Sequence, residues 1–260
     1  MTECCQAMPT LGQRAFFFCI ATIAGLGLAA TAAKALDNEA QYKACMALLD
    51  RDPAGALDSA VAWEKQGGGD PARHCKALAL IRSGQVEDGA LELERVAQAM
   101  PQAQAALAAE LFAQAGQAWT KRGNPQRALY AQNQGLKLNP KDVDLMIDRA
   151  MTYGNSGMYF EALDDLNNAA DLAPDNPDVY AMRAAAYRQL ETLDLAEENV
   201  DRALKISPSH PTALLERGYL RRAKGDLKGA RDDWLTVIQI MPNTDIANEA
   251  QKNIEKLDIR

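Results

Sequence analysis

Leu138-Asn139-Pro140-Lys141-Asp142 closes one stretch of chain and opens the next, and its proline is the first of four: Pro140, Pro174, Pro208 and Pro242 follow one another at steps of 34 residues. The residues between them fall into register as four units, 109–142, 143–176, 177–210 and 211–244. A fixed period of this length marks a solenoid of helix pairs. Unit position 8 is Gly116, Ala150, Ala184 and Gly218, where a small residue lets two helices approach closely. Position 20 is Ala128, Ala162, Ala196 and Ala230, and position 27 is Gly135, Ala169, Ala203 and Val237.

Each unit reads as a helix of about fourteen residues, a short turn, a second helix and a polar stop before proline. Gly123, Gly157 and Gly225 end first helices without a Cβ penalty, and proline cannot continue the second. The polar residues around each proline supply N-cap oxygens for the next helix. No pair covers its apolar face alone, whereas stacked neighbours do.

Position 11 carries Trp119, Tyr153, Tyr187 and Arg221; large residues recur at position 4 (Phe112, Met146, Tyr180, Leu214) and at position 24 (Leu166, Val200, Trp234, with Gln132 in the first unit). This pattern resembles the tetratricopeptide repeat. Arg221 and Gln132 depart from it, weakening single contacts. The resemblance implies an all-α fold, an α-solenoid wound as a right-handed superhelix of about six helix pairs with a C-terminal capping helix.

Composition agrees: 260 residues, 48% hydrophobic, 6% aromatic and a net charge of −7 describe a helical protein with an acidic surface. Nucleic-acid binding needs clustered Lys and Arg, and no such cluster occurs. The first 35 residues differ in kind. Arg14 precedes a 19-residue uncharged run, Ala15–Ala33, followed by small-residue sites at Ala30-Thr31-Ala32 and Ala33-Lys34-Ala35. This predicts a secretory signal peptide of bacterial style over 1–35, with the exported, periplasmic chain starting near Leu36. The run is also near the length that spans a bilayer, so an uncleaved inner-membrane anchor is the alternative.

Three of five cysteines lie in that leader, leaving Cys45 and Cys75, which an oxidising compartment reads as a disulfide between the first helices of two consecutive pairs. Residues 36–104 form two divergent pairs, with Ala56 and Ala90 at position 20 and Gly67-Gly68-Gly69 as a flexible joint. The stretch Met100-Pro101-Gln102-Ala103 then shifts the register by four, which bends the superhelix or lengthens one helix. The four regular units fall within 105–244, and 245–260 is a capping helix with Ile246, Ala250, Ile254 and Leu257 on one face.

Arg149, Arg183 and Arg217 occupy position 7 while Asp165, Asn199 and Asp233 occupy position 23; where position 7 is Ala115, position 23 is Ala131. This predicts arginine–acid or arginine–amide contacts across each hairpin that fix helix register. Anion binding by the arginines is the alternative.

The resemblance places the partner-binding groove on the first helices. Positions 5 and 9 are mostly apolar: Ala113 and Gln117, Ile147 and Met151, Ala181 and Ala185, Leu215 and Tyr219. Lys121, Asn155, Arg188, Gln189 and Arg222 form a polar rim. An apolar or amphipathic segment of a protein or peptide suits such a stripe, and a clamp for a C-terminal carboxylate is not supported. His74 beside Cys75 points about 100° away from it along the helix, and His210 lies in a turn and reads as a surface group. No nucleophile elbow, phosphate loop or zinc spacing appears, so the chain reads as a scaffold with no cofactor or metal rather than an enzyme.

Overall fold

The structure, a computed structural model, describes residues 37–258. Polar side chains start many of its helices. Asp52, Asn124, Asp142 and Asp226 each accept a hydrogen bond from the backbone N–H three residues on. Proline opens four of the helices these and similar caps begin, where its missing N–H costs nothing. Thirteen helices and no strand result among the described residues: α1 (37–48), α2 (Pro53–Lys65), α3 (Gly69–Arg82), α4 (Val86–Ala99), α5 (Ala105–Arg122), α6 (Pro125–Leu138), α7 (Val143–Asn155), α8 (Tyr159–Leu172), α9 (Pro177–Gln189), α10 (Leu193–Ile206), α11 (Pro211–Ala223), α12 (Leu227–Ile240) and α13 (Asp245–Asp258). None is long and apolar enough to cross a membrane. The signal peptide expected over 1–35 lies outside the described residues.

Successive helices from α2 onward pack as hairpins, and α5, α7, α9, α11 and α13 also touch one another in series, which makes the molecule an α-solenoid. The alanines at position 20, namely Ala56, Ala90, Ala128, Ala162, Ala196 and Ala230, are all buried. They bring second helices close to first ones in every hairpin. At position 8 the same closeness needs a smaller residue still: a Cβ on Gly218 would stand 2.3 Å from Nε1 of the fully buried Trp234. The indole N–H of that tryptophan donates to the Leu215 carbonyl, 3.2 Å away. Ala247, Ala250, Asn253 and Ile254 of α13 are buried, closing the last apolar face.

The register shift after α4 is absorbed by a 3₁₀ turn, Gln102–Gln104, and by a longer helix: α5 has 18 residues where α7, α9 and α11 have 13. The two departures from the repeat pattern acquire partners. Arg221 donates to Asp233 at 2.8 Å, and the buried Gln132 donates to the Thr152 hydroxyl at 3.0 Å. The turn of the third unit places Glu191 at φ 58°, where the corresponding residues Gly123, Gly157 and Gly225 have φ of 77°, 76° and 86°.

Candidate partner-binding face

Cys45 of α1 and Cys75 of α3 are joined in a disulfide, with Cα atoms 6.4 Å apart, and both are buried. Asp165 accepts from Arg149 Nε and Nη2 at 2.8 and 2.5 Å, and Asp233 accepts from Arg217 Nε and Nη2 at 3.0 and 2.7 Å. In each pair the arginine pKa lies above its ordinary value, chiefly because its hydrogen bonds to the carboxylate favour the charged form. The third contact is absent. Asn199 turns its amide to the Leu195 carbonyl, 2.8 Å away, and Arg183 Nε has no hydrogen-bond partner among the described residues, its guanidinium lying 5.9 Å from the Tyr180 ring centroid. An amide has its own donor to place, and the i−4 carbonyl of its helix is nearer than the arginine.

The inner row of first helices is less apolar than its sequence suggests. Ile147 is only 9% exposed and Leu215 only 4%; both belong to the core, so neither belongs to an open stripe. Successive first helices lie close enough to cover them. Ala113 and Ala185 are half-buried and Ala181 is fully buried. Of the apolar groove residues only Met151 is well exposed, at 40%.

Polar side chains instead stitch one first helix to the next. Gln117 donates to Asp148 at 2.8 Å. Arg188 donates to both oxygens of Glu216 at 2.5 and 3.2 Å, and its guanidinium lies 4.4 Å from the Tyr219 ring centroid. Burial opposes charge on both members of that pair: it outweighs Arg188 in raising the Glu216 carboxyl, while bonding to Glu216 holds Arg188 above its ordinary value. Tyr219 donates to Glu249 at 2.5 Å and accepts from Asn253 at 2.7 Å; burial first, then the bond to Glu249, pushes its hydroxyl up to about 12. Lys121, Asn155, Gln189 and Arg222 stay exposed along the edge.

At the α1 end the same face opens into a recess of about 590 Å³ between α1, α3 and α5. Tyr42, Met100, Leu107 and Leu111 give it an apolar lining, and Leu107, from the first turn of α5, is 45% exposed. His74 also lines it, held on both nitrogens: Tyr42 Oη stands 2.8 Å from Nδ1 and Gln114 Oε1 stands 2.8 Å from Nε2. The glutamine oxygen can only accept, so Nε2 carries the proton and Nδ1 accepts from the tyrosine. Burial lowers the His74 pKa, against the opposing pull of Gln114 and the nearby Glu110. Glu39 and Asp70 stand at the rim.

Sequence reasoning missed this recess because its residues are scattered: Tyr42, His74 and Gln114 are separated by 32 and 40 residues, across the register shift. His210 was also misplaced as a surface group. It is 9% exposed, accepts from the Ala213 N–H as the cap of α11 and bonds Asp178 at 2.9 Å. Among the described residues no group of three His, Cys, Asp or Glu side chains is arranged to hold a metal.

Two family models, each described as tetratricopeptide repeat, match residues 117–186 and 177–210. RNA polymerase II-associated protein 3 of Rattus norvegicus is 29% identical over 119 residues, 45% of this chain and 18% of that protein. The chain thus spans about a fifth of the length of such curated relatives. A TPR repeat-containing protein of Pseudomonas aeruginosa is 25% identical over 203 residues, 76% of this chain and 33% of its own. Among solved structures, Pseudomonas aeruginosa PilF superposes with a TM-score of 0.62 at 14% identity, covering 83% of this chain and 97% of PilF, a likeness of fold. With its 34-residue period and stacked hairpins, and with both models matching within residues 117–210, the chain carries tetratricopeptide repeats.

Proposed function

We propose that this protein is a scaffold that holds a segment of a partner polypeptide, and that the segment seats in the recess between α1, α3 and α5. The observation that carries this reading is the recess itself, an apolar hollow with Leu107 open to solvent on a face otherwise closed by polar stitching. Its rim carboxylates, Glu39 and Asp70 with Glu110 near His74, favour a segment whose apolar anchor is flanked by lysine or arginine. The scaffold acts after export, within an envelope assembly or secretion complex; the signal-like leader and the Cys45–Cys75 disulfide support that placement.

Fluorescence anisotropy with short labelled peptides tests the site. A peptide carrying leucine or phenylalanine between lysines binds, its glutamate counterpart does not, and Leu107→Lys weakens binding about tenfold or more without lowering Tm. Equal binding of both peptides, or an unaffected Leu107→Lys, removes the recess as the site. The N-terminus of protein recovered from cells tests the placement: Leu36 supports an exported chain, and Met1 supports a membrane-tethered one that recruits its partner to the bilayer.

A further inference from the structure

The first helix is held to the ladder by one buried side chain. Of α1, residues 37–48, only Cys45 is buried, and Cys45 is bonded to Cys75 of α3. The core beneath α1 is thin: Cys45, Leu49, Ala56, Ala60, Cys75 and Ala79 make it up, with four partly buried side chains at its edge. Three alanines and one leucine remove little apolar surface from water, whereas the neighbouring core carries Leu93, Leu111, Phe112 and Trp119. The polar ties of α1, Trp63 Nε1 donating to Asn38 at 3.2 Å and Tyr42 donating to His74 at 2.8 Å, are only part-buried, so water competes for them.

That helix is also a wall of the recess. Asn38, Glu39 and Tyr42 come from α1, and Tyr42 lies three residues before Cys45, on the same helical face. Asp70 and His74 come from α3, and Leu107 and Leu111 from α5. Those two helices are fixed without α1: Ala77 of α3, Leu93 of α4 and Leu111 of α5 share one core. Opening the Cys45–Cys75 bond therefore frees one wall of the recess and leaves the other two standing.

We infer that this bond is the switch of the recess: with Cys45 and Cys75 joined, α1 is docked and the recess captures a partner segment, and with both as thiols α1 lifts and capture is lost. The inference rests on the recess being the partner site. Closing the switch takes a disulfide oxidant. One cysteine thiolate attacks it, forming a mixed disulfide and expelling a thiol; the other attacks the mixed disulfide, joins its sulfur to the first and expels a second thiol. Two electrons and two protons pass from the cysteines to the oxidant, which leaves as two thiols. A dithiol reverses the exchange, reaching the buried sulfurs when α1 lifts locally. The chain thus holds no closed recess in a reducing compartment and acquires one where thiols oxidise.

The test measures fluorescence anisotropy of a labelled leucine peptide flanked by lysines against the full chain, treated with oxidised glutathione or with dithiothreitol. The oxidised chain binds. The reduced chain binds about tenfold or more weakly, in proportion to the small fraction of molecules with α1 docked, and returning it to oxidised glutathione restores affinity. Reduction quickens amide exchange most in α1 while α5–α13 keep their protection. Cys45→Ala combined with Cys75→Ala, which leaves Cys4, Cys5 and Cys19 in place, binds weakly under both treatments. Equal affinity of the oxidised and reduced chains, tight binding by the double variant, or loss of protection along the whole array overturns the inference and leaves the recess as the site. No binding by the oxidised chain removes the recess as the site, and this inference with it.

Discussion

Arg149 on α7 and Asp165 on α8 face each other across one hairpin, the guanidinium edge spanning both carboxylate oxygens at 2.8 and 2.5 Å, with Asp165 buried and Arg149 partly so. Removing either partner leaves the other charge in a poorly solvated place, which makes the single losses large and coupled. A double-mutant cycle with Arg149→Ala and Asp165→Ala should give a coupling of about 1–3 kcal/mol by urea denaturation. Additivity within about 0.3 kcal/mol would show that the contact does not hold the hairpin.

Glu191 adopts the left-handed conformation that glycine takes at the same position of the other regular units. A Cβ in that region costs about 1–2 kcal/mol, part of which glycine gives back through the freedom it adds to the unfolded chain. Glu191→Gly should therefore stabilise the protein by about 0.5–1 kcal/mol, seen as a higher urea midpoint at unchanged m. A lower midpoint would mean that Glu191 contributes something its backbone angle hides.

The disulfide closes a loop across a sequence separation of 30 residues. In the chain-entropy account such a link contributes roughly 3–4 kcal/mol. Replacing both Cys45 and Cys75 by Ala should lower stability by about that much. Since each hairpin rests on its neighbours, amide exchange should quicken in α1–α3 and change little in α9–α13. Uniform loss of protection along the chain would argue that the array unfolds as a single block.

His74 gives a pH dependence whose sign follows from its burial. Its folded pKa lies below the ordinary 6.5, so the unfolded chain takes up a proton first as pH falls. Stability from this site is full above about pH 6.5 and is lost as pH drops toward the folded value. Protonation also removes the Nδ1 lone pair that accepts from Tyr42. Between pH 7.5 and 5.5 the protein should lose more stability than its His74→Gln variant, which cannot titrate; equal losses would place the effect elsewhere.

The fold was legible because its signal is repeated. Proline at every 34th residue, alanine at position 20 and glycine in the turns each have one physical reason, and it recurs. Surfaces were harder to read. Unit position tells which way a side chain points, but not how far the next first helix closes over it, and that distance is what buries Ile147 and Leu215. Pairing by type was also incomplete: asparagine resembles aspartate in shape and differs in carrying a donor, which is why Asn199 turns away from Arg183 while Asp165 and Asp233 turn toward their arginines. The turn holding His210 looked like exterior because loops usually are, yet a capping imidazole has to face its helix.

Helix α5 begins at Ala105, four residues ahead of the unit boundary implied by the period, and Leu107 sits in that added turn. Four residues are just over one helical turn, so the insertion leaves the faces of α5 nearly in phase while lengthening it by about 6 Å. In a molecule made of near-copies, a ligand has little to tell one rung from another. The recess stands where the copying lapses, and that single irregularity gives the ladder an address.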